Sequence, residues 1–203
     1  MAYEYDVFLS YRTQFPFGKW VHEHLLPFFE PYLENTLNRP VRVFVDREGI
    51  STGDAWPQQL KNALAHSRCL VAVWCPSYFG SSWCLAELTV MMYREQQLGY
   101  RTISNPSGLV IPIIVHDGEH FPDYARSIQC SDFSRFTRVG YGFTTTERYI
   151  EFQDKLVEWV EDVARCINKA PPWRREWLGK EWIDDPITSI SPPSVPEFFP
   201  SLE

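Results

Sequence analysis

Several things are missing from this sequence, and each absence narrows what it can be. No two of its five cysteines form a C-x-x-C pair, which argues against a zinc site or a disulfide framework and predicts reduced, mostly buried thiols. No apolar run approaches the length of a membrane span, and the start, Met1-Ala2-Tyr3-Glu4-Tyr5-Asp6, lacks the basic flank and apolar core of a signal peptide, so a cytoplasmic protein without membrane contact is expected. Nucleic acid is disfavoured as a partner, because 19 Lys and Arg stand against 26 Asp and Glu, a net charge of −7 that repels a phosphate backbone. There is no G-x-G-x-x-G after a strand and no G-x-x-x-x-G-K-[ST], which removes the phosphate-cradling loops of dehydrogenases and P-loop enzymes. Ser10 lacks the G-x-S-x-G elbow of hydrolases, and no internal repeat is present.

What is present is a chain of 203 residues, 44% hydrophobic and 16% aromatic, enough for one well-cored domain with an appendage. Strand-like and helix-like stretches alternate. Residues 5–11 read as a central strand whose polar end, Ser10-Tyr11-Arg12, emerges at the edge where open α/β sheets bind ligands. A helix over residues 19–37 contains Pro27 and Pro31 and is expected to kink or break. Val41 to Asp46 is a second strand. Asp54 is a candidate N-cap for a helix through His66. Cys69 to Trp74 is a third strand, apolar throughout. A fourth covers Leu109 to Val115, with Pro112 suggesting an edge or a bulge. Residues 130–136 are read as a short fifth, and residues 149–167 as an amphipathic helix. The alternation predicts a parallel sheet covered on both faces.

After the third strand comes Ser81-Ser82-Trp83-Cys84-Leu85-Ala86-Glu87-Leu88. Ser81 or Ser82 can cap a helix in which Trp83 and Glu87 share a face, while Cys84, Leu88 and Met91 form a stripe that packs on the sheet. Taken alone, Glu87 reads most simply as a complement to the helix dipole. Cys84 has no evident base partner and is read as a packing residue rather than a nucleophile. His116-Asp117-Gly118-Glu119-His120 lacks a recognised zinc spacing and reads as an exposed turn; His22 and His24 are read as surface residues.

From Pro171 the composition changes. Seven of the sixteen prolines fall in the last 33 residues, among Trp173, Trp177, Trp182, Phe198 and Phe199. Aromatics of this size favour burial by roughly 1.5–3 kcal/mol each, so part of this extension is expected to dock on its own domain or on another subunit.

Three pieces in order, residues 6–11, residues 44–53 and residues 82–88, resemble the Toll/interleukin-1 receptor (TIR) domain family over about residues 3–168. The resemblance implies a flavodoxin-like three-layer α/β sandwich with a five-stranded parallel sheet, residues 1–170 forming the TIR domain and 171–203 a Pro-rich extension. It also implies a choice of function. One branch of the family cleaves the nicotinamide–ribosyl bond of NAD+, giving ADP-ribose, a cyclic form or a conjugate; another is a non-catalytic scaffold working through TIR–TIR contacts. The Trp-Cys-x-x-Glu pattern favours the enzyme and makes Glu87 its catalytic carboxylate. Ser10, Tyr11, Arg12, Asp46, Arg47, Trp83 and Cys84 would then line the substrate, with Arg12 drawing a phosphate. NAD+ would be the substrate, and no metal or separate cofactor is expected. Further expectations from the resemblance are self-association through residues 47–56, a separate sensor or effector protein, and a role in antiphage immune signalling.

Overall fold

Five parallel strands form one sheet in the order β2-β1-β3-β4-β5, the open doubly-wound order of flavodoxin-like folds. The computed structural model describes residues 2–45 and 58–178. Among them the strands are β1 (Tyr5–Ser10), β2 (Val43–Val45), β3 (Ser67–Trp74), β4 (Val110–Ile114) and β5 (Ser131–Asp132). Register is continuous across the centre: Phe8 lies against Phe44 on one side and Leu70 on the other, and Val71 against Ile111. β1 and β3 are buried along almost their whole length, as unbroken apolar runs are when helices cover both faces of a parallel sheet.

Four longer helices do that covering: α1 (Leu26–Leu37), α2 (Gln58–Ala65), α3 (Ser82–Gln97) and α4 (Glu147–Lys169). α4 turns Phe152, Leu156, Trp159, Val160 and Val163 inward, the 3.6-residue stripe that its sequence displays. It meets α1 through Phe29 and Trp159, whose rings lie 5.2 Å apart. Trp20, Phe133 and Phe152 extend this aromatic layer, and the Trp20 indole donates to the Phe136 carbonyl at 2.7 Å, satisfying the one polar atom of a fully buried ring.

Two features differ from expectation. The helical stretch before α1 is interrupted, but at a π-helical turn, Val21–Leu25, that precedes both prolines. Pro27 then sits in the first turn of α1, where a missing N–H costs nothing, and Pro31 is carried inside the helix. Pro112, expected at an edge or a bulge, lies in an interior strand opposite Ala72. The reason is pairing parity. Val115 donates to Trp74 on β3, so Pro112, three residues earlier, turns its absent N–H towards β5, whose pairing begins only at Ile113.

The N-terminal edge of the sheet is held by charge and by the start of the C-terminal extension. Asp6 accepts from both guanidinium nitrogens of Arg39, at 2.6 and 3.0 Å, from the Arg42 backbone N–H at 3.2 Å, and pairs with Arg68 at 3.2 Å. Arg94, 1% exposed, donates to the carbonyls of Ser67, Leu64 and Ala65, and burial pushes its pKa down to about 10. The Trp177 ring lies 4.2 Å from that guanidinium, and Trp173 stacks on His66 and donates to the Ala65 carbonyl. Residues 171–178 therefore pack on their own domain. Trp182, Phe198 and Phe199 lie outside the described residues, as does the expected cap Asp54.

No helix among the described residues is long and apolar enough to cross a membrane.

Candidate active site

β1 ends at Ser10 and β3 at Trp74, neighbouring strands whose following connections leave in different directions. This is the topological switch point, where open α/β sheets carry their ligands. α3 begins just beyond it. Ser81 caps the helix, accepting from the Cys84 N–H at 3.4 Å, and so sets the rotation that turns Cys84, Glu87, Leu88 and Met91 into the protein.

That rotation brings Glu87 to the tip of β1. Its carboxylate is 5% exposed, and its Oε2 accepts a hydrogen bond from the Ser10 hydroxyl at 2.5 Å. With the Ser10 proton given to Glu87, the 2.8 Å contact between Ser10 Oγ and the Tyr78 hydroxyl is one in which Tyr78 donates. Tyr78 Oη also lies 3.3 Å from the Cys84 carbonyl. Burial first, then the neighbouring Cys84 and Glu87, hold the Tyr78 pKa well above its ordinary value, so the phenol stays a neutral donor. Hydroxyls in series help to fix the carboxylate's position. Sequence reasoning had no place for Tyr78; its position in Pro76-Ser77-Tyr78-Phe79, a short helical turn leading into α3, was the available signal.

The other expected residues divide into three groups. Cys84, 5% exposed, directs its thiol to the Tyr11 carbonyl at 3.7 Å. Burial, then the charge of Glu87, pushes its pKa up to about 12, which suits packing and not nucleophilic attack. Tyr11 is buried, and its hydroxyl meets His22 Nε2 at 2.7 Å. Trp83 is half-buried in the first turn of α3. Arg12 follows directly on β1, half-buried, with its Nε enclosed and without a hydrogen-bond partner among the described residues. The loop after it turns tightly back: a Cβ on Gly18 would fall 2.0 Å from the Thr13 carbonyl oxygen, so only glycine allows this approach. Asp46, Arg47 and the rest of the 47–56 loop lie outside the described residues.

The histidines need one correction. His22 is exposed, as expected, but His24 is 3% exposed and not on the surface. It packs edge-on to Phe143 and Tyr149 at 5.2 and 5.8 Å. Burial lowers its pKa. Residues 116–120 form a turn in which Asp117 bonds the Glu119 N–H and the His120 ring.

An open parallel sheet wound by helices on both faces, with a buried carboxylate at its switch point, defines an α/β domain of the doubly-wound class. Comparison with known proteins is more specific: the family model of the TIR domain matches residues 7–142, and the chain belongs to that family. It is 33% identical over 165 residues to disease resistance protein RPV1 of Vitis rotundifolia and 29% identical over 167 residues to disease resistance protein RUN1 of the same species. Each alignment covers 81% of this chain and 10% of the relative, so the chain spans about a tenth of the length of the curated relatives it matches. Solved structures similar to it include the TIR domain of the Toll-related receptor TRR-2 from Hydra magnipapillata, at TM-score 0.41 and 20% identity over 64% of this chain and 85% of that one. The TIR domains of the activated Roq1 resistosome recognising the effector XopQ match at TM-score 0.37 and 22% identity, over 82% of this chain and 85% of that one.

Proposed function

We propose that this TIR domain cleaves the bond between nicotinamide and ribose in NAD+, with Glu87 as the catalytic carboxylate. The observation that carries this reading is the enclosed carboxylate at the switch point, oriented by the Ser10 hydroxyl at 2.5 Å. In the reaction the C1′–N bond breaks and its electron pair goes to the pyridinium nitrogen, so nicotinamide leaves neutral and needs no acid. The ribosyl carbon becomes oxocarbenium-like, as in glycoside hydrolysis. A fixed negative charge in a site that excludes water stabilises that cation far better than it would in bulk solvent. Glu87 supplies the charge, Ser10 and Tyr78 hold it in position, and the half-buried Arg12 side chain draws a phosphate. Water, the substrate's own adenine or an added base then closes the bond at C1′, giving ADP-ribose, a cyclic form or a conjugate.

The biological setting we infer is immune signalling by an assembly of TIR domains answering to a separate protein, with antiphage defence as its bacterial form. Support for the immune part comes from the plant disease resistance proteins to which the chain is similar.

The test is nicotinamide release from NAD+ by the concentrated 203-residue chain, alone and under forced clustering, beside Glu87→Gln. The expected outcome is a rate that rises on clustering and falls about 10²–10³-fold in the variant, the usual worth of one preorganised electrostatic group. Equal rates in the two proteins would dismiss Glu87. A clustered wild type that releases nothing would leave the chain as a non-catalytic interaction module.

A further inference from the structure

Tyr11 is held at both ends. It is buried, and it stands between Ser10, whose hydroxyl donates to Glu87 at 2.5 Å, and Arg12. Its carbonyl accepts from the Cys84 thiol at 3.7 Å, on the helix that carries Glu87. At the other end its hydroxyl meets His22 Nε2 at 2.7 Å, and the two rings pack edge to face at 5.7 Å and 73°. That bond does not need one protonation state, since Nε2 accepts from the phenol when its lone pair is free and donates to it when protonated. Cys84 feels the charges on both sides of this turn: Glu87 raises its pKa and Arg12 opposes the rise.

An uncommon piece of backbone places His22 there. It lies in the π-helical turn Val21–Leu25, a form that is rare and recurs at functional sites. In that turn His24 goes inward and His22 stays exposed, outside the core. The chain between Tyr11 and His22 is a tight return. The Gly18 N–H donates to the Gln14 carbonyl at 3.0 Å and the Trp20 N–H to the Pro16 carbonyl at 3.0 Å, and glycine at position 18 lets the backbone press on Thr13. The bond between Tyr11 and His22 closes this loop at its mouth, and Arg12 is the first residue inside it.

We propose that His22 is a positioning residue for the substrate dinucleotide: through the Tyr11 hydroxyl it fixes the exit of β1, so that Arg12 meets a phosphate while Ser10 stays on Glu87. The inference rests on the NAD+ reading of the site. His22 acts only through Tyr11 and touches neither the substrate nor the carboxylate. Loosening Tyr11 frees Arg12, whose grip on a phosphate is the same before and during bond breaking, so the loss falls on KM. The rate of the bound complex is protected, because Ser10 and Tyr78 still hold Glu87.

Steady-state nicotinamide release by the clustered 203-residue chain, measured over a range of NAD+ concentrations, tests this. A glutamine side chain puts its terminal amide where Nε2 stands, whereas asparagine is one methylene short. His22→Asn is expected to raise KM about threefold to tenfold, as loss of one net hydrogen bond does, with kcat within about twofold of wild type. His22→Gln should restore KM. Tyr11→Phe should match His22→Asn, and the double variant should be no worse than either single one, since all three lack the same bond. The inference alone is overturned if a chain that cleaves NAD+ keeps its KM in His22→Asn, if the change falls on kcat, if His22→Gln does no better than His22→Asn, or if the two substitutions add. A clustered wild type that releases no nicotinamide overturns the reading of the site, and this inference with it.

Discussion

α3 carries two buried glutamates, and they stand at opposite ends of the sheet's strands. Glu95, 3% exposed, pairs with Arg101 at 2.6 Å and accepts from the backbone N–H groups of Leu109 and Val110. It fastens the end of α3 to the start of β4. Glu87, 5% exposed, takes a neutral hydroxyl at the opposite edge of the sheet, beside the end of β1. Burial is alike in the two residues; their places in the fold are not. A carboxylate pinned by a cation and two amides has its bonding capacity directed at the fold, whereas Glu87 is the one that the proposed function sets against the substrate.

Exchanging each side chain for a neutral one breaks this comparison most sharply. Glu87→Gln should lower the proposed nicotinamide release by about 10²–10³-fold and shift urea unfolding less than Glu95→Ala does, since an amide keeps the side chain's size and an oxygen that accepts from Ser10. Glu95→Ala should do the converse. It leaves Arg101 without its carboxylate and two buried N–H groups unmet, a loss of about 3 kcal/mol by the usual cost of stripping one partner from a buried pair, read as a lower urea midpoint. Activity per folded molecule should be unchanged. Similar stability losses in both variants would erase the distinction.

Tyr78→Phe probes the same contrast more gently. Removing the donor behind Ser10 should lower kcat about tenfold, the order of one net hydrogen bond, with KM unchanged and little loss of stability. A change confined to KM would mean that Tyr78 shapes binding and not the carboxylate.

The smallest expected effect is a pH slope at the N-terminal edge. Burial alone would raise the Asp6 pKa, but the hydrogen bonds from Arg39 and Arg42 and the charges of Arg39 and Arg68 outweigh it, and the net shift is downward from 3.8. A carboxyl whose folded pKa is depressed stabilises the fold above its unfolded value, and that contribution is lost as pH falls through the folded one. Urea midpoints measured in steps below pH 3.8 should therefore decline, and Asp6→Asn should flatten part of the decline. An unaltered slope in the variant would assign acid sensitivity elsewhere.

Much of the architecture was legible because it rests on local pattern. Unbroken apolar runs marked β1 and β3, and the stripe from Phe152 to Val163 marked α4. Ser81 in front of Trp83 and Glu87 gave the helix start and the carboxylate's face. Arg94 and Glu95 were not legible, because a charged pair near the end of a helix has the same pattern whether it meets water or carbonyls. His24 was misjudged for a related reason: periodicity tells which residues share a face, not whether another helix covers it. Pro112 was misjudged because an interior strand tolerates proline when its neighbour is short, and the length of β5 is set by packing.

The sequence by itself determined the alternation of strands and helices, the capped start of α3 and the family, all properties of residues near one another along the chain. Only the tertiary structure decided that Glu95 meets the Arg101 guanidinium and that Glu87 meets the Ser10 hydroxyl. Ser10 and Glu87 are 77 residues apart, and an interaction over that separation exists only once the sheet has set the strand order.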